Sequence, residues 1–70
     1  MSKGRNRVGV PFNPSGHPLV YQYKHAIADL IDGLDEYANS DDPEVARVGK
    51  IAQDKLESAC MWAVKTITKG

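Results

Sequence analysis

The side chains of this sequence that could do chemistry gather towards its two ends. Phe12-Asn13-Pro14-Ser15-Gly16 is a turn-forming segment that carries an aromatic ring, an amide and a hydroxyl, and Tyr21, Tyr23 and Lys24 follow within eight residues of it. Near the other end Trp62 precedes Lys65, Thr66, Thr68 and Lys69. A cation, aromatic faces and the free N–H groups that open a helix together suit a ligand with phosphates and flat bases. Stacking a base on an aromatic ring contributes roughly 1–3 kcal/mol. The candidate binding residues are therefore Phe12, Asn13, Ser15, Gly16, Tyr21 and Lys24.

Each of these also has a plainer role. A lysine on an amphipathic helix is usually solvated, and Tyr21 could be an ordinary surface ring. Tyr23 and Trp62 lie at core-compatible spacing, so packing is their expected role. Ser15 could close a turn, and Phe12 could pin the loop to the core. His17 and His25 read as loop and surface residues, and Cys60, beside an apolar stripe, as a buried thiol. Catalysis would need a nucleophile with a positioned base, a metal or paired carboxylates in a cleft. The sequence supplies none of these: Cys60 has no partners at metal-ligand spacing, and Asp29, Asp32, Asp35 and Glu36 share the polar side of one helix. The expectation is a binding protein that is not an enzyme and needs no cofactor.

The charge pattern sharpens that reading. The formal net charge is zero, which argues against long nucleic acids as partners, because they demand many phosphate contacts. Residues 1–28 contain Lys3, Arg5, Arg7 and Lys24 and no acid, whereas all nine carboxylates fall between Asp29 and Glu57. Both chain ends are basic and the middle is acidic. One cysteine excludes a disulfide framework and suits a reducing compartment. The basic start is followed by no apolar run of signal-peptide type, and no stretch approaches the roughly 20 apolar residues of a membrane span. A soluble cytoplasmic protein is expected.

These residues must be positioned by helices. Val20, Tyr23, Ile27, Leu30, Ile31, Leu34 and Tyr37 recur at spacings of three and four, the apolar face of a helix over residues 18–38. Pro18 suits its first position. Asp42-Pro43-Glu44 is a helix start, with a cap, an N1 proline and an acid at the positive end of the dipole. The second helix runs over residues 43–68 with Val45, Val48, Ala52, Leu56, Ala59 and Ala63 as its stripe, widened by Ile51, Met61, Trp62, Val64 and Ile67. Two helices joined by so short a link form an antiparallel hairpin. The domain reading is all-α: a flexible basic arm at residues 1–11, then the hairpin at 12–70 with its loop at 12–17. Antiparallel pairing brings both basic ends to one pole. A core from 70 residues rarely contributes more than about 3–5 kcal/mol unaided, and the surplus apolar surface of the second helix needs a cover. Self-association into a homo-oligomer is expected.

Phe12-Asn13-Pro14-Ser15-Gly16, then Lys24 and Ala28-Asp29-Leu30-Ile31, then Met61-Trp62-Ala63-Val64-Lys65 together resemble the phage anti-CBASS sponge proteins, whose helical hairpin is shared with a larger Thoeris anti-defence sponge. The resemblance covers residues 12 to about 68. It implies a hexamer built as a trimer of dimers, binding cyclic dinucleotides and cyclic trinucleotides in two kinds of intersubunit pocket without cleaving them. Such a protein would keep a CBASS effector silent in the host cytoplasm during phage infection. On this resemblance Lys24 matches the phosphate-binding lysine, and Phe12 stands near the stacking aromatic, with phenylalanine where the family has tyrosine. Arg47 and Thr66 or Thr68 are the counterparts of the trinucleotide pocket's arginine and threonine.

Two readings of other classes compete. A small DNA-binding regulator would use the basic arm in a groove, and a structural hairpin would cap another protein with the apolar side of its second helix.

Overall fold

The computed structural model describes residues 2–10 and 16–69. Among them are helices α1 (Lys3–Val8), α2 (Pro18–Gly33), α3 (Asp35–Ala38) and α4 (Pro43–Lys69), and no strand. The hairpin starts where the sequence places it. Pro18 opens α2 behind His17, whose side chain accepts from Leu19 N. Asp42 Oδ1 caps α4, accepting from Glu44 N at 2.9 Å and Val45 N at 3.3 Å.

The expected single helix over 18–38 is interrupted once. Gly33 and Leu34 tighten the last turn, and Leu34 N shares the carbonyls of Leu30 and Ile31 before α3 resumes. At this break the Gln53 amide reaches across from α4 and donates to Ile31 O at 2.9 Å. The bond explains how a polar side chain with 1 % exposure sits in the seam.

The flexible arm expected at residues 1–11 is corrected by α1. Six residues cannot hold a helix in water by propensity alone, so caps and tertiary contacts must supply the difference. Ser2 Oγ accepts from Arg5 N. Gly9, in the left-handed region at φ 67°, ends the helix and donates back to its carbonyls. The acids that the sequence places in the middle of the chain then receive the arm's cations: Lys3 Nζ meets Asp35 Oδ1 at 2.8 Å, Arg5 Nη2 meets Asp29 Oδ1 at 3.1 Å and Arg7 Nη2 meets Asp54 Oδ1 at 2.6 Å. Gly4 lets the backbones touch. Its N–H donates to Asp32 Oδ1 at 2.6 Å, and a Cβ there would collide with the Ala28 carbonyl oxygen.

The buried face also differs from the expected one. In α2 the covered residues are Val20, Lys24, Ala28 and Ile31, and in α4 they are Gly49, Gln53 and Cys60. Tyr23, Leu30 and Tyr37 face outwards, as does Val48. Small residues decide this. Gly49 brings α4 within 3.0 Å, measured from an ideal Cβ, of Ala38 N on α3, and Ala28 receives α1, so the close seam runs along the small side of each helix and leaves the large apolar side open. Among the described residues no helix is long and apolar enough to cross a membrane.

Candidate functional site

The pole where α1, the first turns of α2 and the last half of α4 meet contains a cavity of about 300 Å³. Arg7 and Val8 of α1 and Lys24 of α2 form one side of it. The other side is one face of α4, where Glu57, Cys60, Met61, Val64 and Lys65 follow at helical spacing. The lining of the cavity is mostly apolar and includes three cations and one carboxylate. This is a surface for a flat, partly apolar ligand with negative charge at its edge.

Lys24 is the central residue of the pole. It is 5 % exposed, and its ammonium donates to the Gly9 carbonyl at 2.9 Å, so it is an anchored group rather than the solvated lysine of an ordinary helix. A desolvated ammonium is expensive to keep unless hydrogen-bonded. The left-handed turn at Gly9 presents a carbonyl to it.

Around Lys24 the other groups are held as firmly. Arg7 donates from Nε to Glu57 Oε1 at 2.9 Å as well as to Asp54, and the Glu57 bond chiefly raises its already high pKa. Burial pushes the Cys60 thiol up, with the Lys24 charge working against it, so Cys60 is a protonated wall of the cavity rather than a nucleophile. Lys65 Nζ lies 4.9 Å from the Trp62 ring centroid.

The other sequence candidates are distributed unevenly. Phe12, Asn13 and Ser15 lie outside the described residues. Gly16 is exposed with φ 63°, a conformation that suits glycine. Tyr21 is 55 % exposed and tilts against His25, with ring centroids 4.1 Å apart. Tyr23 and Trp62, expected in the core, are instead 48 % and 64 % exposed. Arg47 forms a two-pronged pair with Glu44 at the start of α4. Thr66 Oγ1 donates to Trp62 O and Thr68 Oγ1 to Val64 O near its end. About 20 residues of helix separate these groups, roughly 30 Å at 1.5 Å per residue. One chain therefore does not bring Arg47 and the threonines together.

Sequence reasoning missed Arg7, Glu57, Met61 and Lys65 as cavity residues. The α4 members share a face that helical spacing shows. Arg7 could not be found in that way, because its placement depends on α1 folding back. No group of His, Cys, Asp and Glu among the described residues could hold a metal ion.

A family model matches residues 3–68, nearly the whole chain, and its description is Acb2/Tad1, hairpin domain. The chain belongs to the Acb2/Tad1 hairpin-domain family. No curated protein and no solved structure matches it. Membership supports a sponge-type anti-defence role in general terms, that of a domain that binds. The match begins at Lys3, so the Acb2/Tad1 hairpin domain in this chain includes α1 as well as the two long helices.

Proposed function

We propose that this Acb2/Tad1 hairpin protein is a phage anti-defence sponge that binds cyclic dinucleotide second messengers, and cyclic trinucleotides at a second site, without cleaving them. The host cytoplasm during infection is where it would act, keeping a CBASS effector silent. The observation that carries the reading is the anchored Lys24 side chain in the wall of an apolar cavity that Arg7 and Lys65 also line. Phosphate oxygens would meet Lys24 and Lys65, and a base would lie against Val8, Met61 and Val64. A charge-assisted contact to phosphate contributes roughly 1.5–3 kcal/mol.

The cavity is partly open to solvent in one chain, and large apolar side chains stand exposed on both long helices, Leu30 and Ile51 among them. A homo-oligomer, a hexamer on the family resemblance, would close the site between subunits and cover those side chains. The DNA-binding alternative loses its main support, since Lys3, Arg5 and Arg7 are each engaged by carboxylates of the same chain.

Isothermal titration of the purified protein with cyclic di-GMP, cyclic di-AMP and cyclic GMP-AMP, followed by denaturation and chromatography of the ligand, tests the proposal. Saturable binding with intact ligand recovered is expected. Absence of binding to every cyclic nucleotide, or linear products in proportion to protein, would overturn it.

A further inference from the structure

A carboxylate in an anion-binding cavity needs a reason. Glu57 belongs to the cavity wall together with Arg7, Lys24 and Lys65, and left ionised and unpaired it would repel the phosphates those cations attract. Its charge is offset by Arg7, whose Nε donates to Oε1 at 2.9 Å while Nη2 holds Asp54 Oδ1 at 2.6 Å. Among the described residues no donor reaches Glu57 Oε2. A carboxylate has about four lone-pair sites and no donor of its own, so Arg7 leaves most of its accepting capacity unused. The side chain is 39 % exposed. On the same face of α4, Met61 and Val64 follow within two turns and offer a flat apolar surface beside it.

We propose that Glu57 reads the base of the bound cyclic dinucleotide and selects guanine. The inference rests on the cyclic-dinucleotide reading of this cavity and adds the base that it prefers. Guanine alone among the common bases presents two adjacent donors, N1–H and the N2 amino group, on its pairing edge, and a carboxylate accepts both in parallel. Adenine presents one amino donor beside the N1 lone pair, which a carboxylate repels. Uracil flanks its single N–H with two carbonyls. The recognising edge lies at the Glu57 end of the α4 face, and Lys65, eight residues on and about 12 Å along the axis, is left for phosphate. Arg7 is then a positioning residue, because it fixes the Glu57 carboxylate without touching the base.

The test is the ratio of affinities for cyclic di-GMP and cyclic di-AMP, measured by titration calorimetry on the full chain. Native protein should favour cyclic di-GMP by about tenfold or more, the discrimination that a matched two-bond contact gives. Glu57→Gln keeps an oxygen for Arg7 but turns an amide donor and acceptor towards the base, the pattern that matches adenine. The ratio should therefore move towards cyclic di-AMP by at least tenfold, a change that loss of folded protein cannot produce. Asp54→Asn removes the charge of Arg7's other partner, which does not line the cavity, and should leave the ratio within twofold of native. Equal affinity for the two ligands in native protein, or the same ratio in Glu57→Gln, overturns guanine selection while leaving the cyclic-dinucleotide reading intact. Binding of neither ligand overturns both.

Discussion

The Lys24 ammonium donates to the Gly9 carbonyl at 2.9 Å, which joins the middle of α2 to the residue that ends α1. One side chain thus ties two helices together and lines the cavity of the proposed site. In Lys24→Ala the partly buried Gly9 carbonyl loses a charged donor, at a cost of about 1–3 kcal/mol. For a chain of this size each kcal/mol corresponds to roughly 4–8 °C in Tm. Lys24→Ala should therefore lower Tm measurably and weaken cyclic-dinucleotide binding by about ten- to a hundredfold. Calorimetry below the new Tm separates the two effects. Unchanged affinity in folded Lys24→Ala would place the phosphate contact elsewhere.

The docking of α1 is most exposed to change at Gly4. Its N–H donates to Asp32 Oδ1, and a Cβ would press on the Ala28 carbonyl, so Gly4→Ala must move a backbone. Overpacking of that kind costs about 1–3 kcal/mol. Gly33→Ala meets open space in a helical position and should gain about 0.5–1 kcal/mol. Opposite Tm shifts for two glycine-to-alanine changes are the expected result, with faster amide exchange at residues 3–9 in Gly4→Ala alone.

The sequence shows some parts of this fold and hides others for definite reasons. Asp42-Pro43-Glu44 marks the start of α4 because cap chemistry is local, and the hairpin follows from two periodic segments and a short link. The face that each helix buries is not local. Val20, Ala28 and Ile31 are covered while Leu30 and Tyr37 are not, because the closest approach is set by Gly4, Ala28, Ala38 and Gly49, whose contribution is smallness, which hydrophobic periodicity does not register. The same blindness hid α1: six residues with three cations read as disorder until the acids of α2, α3 and α4 are placed opposite them. Lys24 reads from the sequence as an exposed lysine that could reach a phosphate; its anchoring is hidden, since nothing in the sequence says that Gly9 O accepts from it.

Acid should loosen the Lys3 contact. The Lys3 ammonium, helped by the Gln53 amide, holds the Asp35 carboxyl below its ordinary value of 3.8. A carboxyl depressed in the folded state stabilises the fold above its unfolded pKa, and that contribution is lost as pH falls through the folded value. Tm should accordingly decline as the pH is taken below about 4. Lys3→Ala removes the largest cause and should flatten part of the decline, leaving the part due to Glu44, which Arg47 holds down in the same way. An identical pH profile in Lys3→Ala would show that the pair does not persist in solution.

Self-association should be visible as mass. Leu34, Tyr37, Val45 and Val48 line an apolar recess at the hairpin's turn end, and Met61 and Trp62 stand 60 % and 64 % exposed near the other. Apolar surface at both ends of one short chain is a marker of association. Light scattering at micromolar concentration should give several times the 7.7 kDa of one chain. A stable monomer would sink the proposal of a site closed between subunits.

Arg47 provides the complementary test, because its place in the fold separates it from the cavity. It pairs with Glu44 three residues earlier, and both side chains are more than half exposed, so the pair contributes little stability once solvent screening is counted. Arg47→Ala should leave Tm within the change that roughly 0.5 kcal/mol produces, and cyclic-dinucleotide affinity should stay within twofold of native. The role proposed for this guanidinium is a cyclic trinucleotide site formed by Arg47 of one subunit and Thr66 or Thr68 of another, since one chain holds them at opposite ends of α4. Titration of Arg47→Ala and Thr66→Val with a cyclic triadenylate should then show a loss in both variants, with dinucleotide binding intact. Loss of trinucleotide binding in neither variant would remove Arg47, Thr66 and the shared pocket together, and a loss of dinucleotide binding in Arg47→Ala would mean that the cavity draws on a second subunit's α4 start.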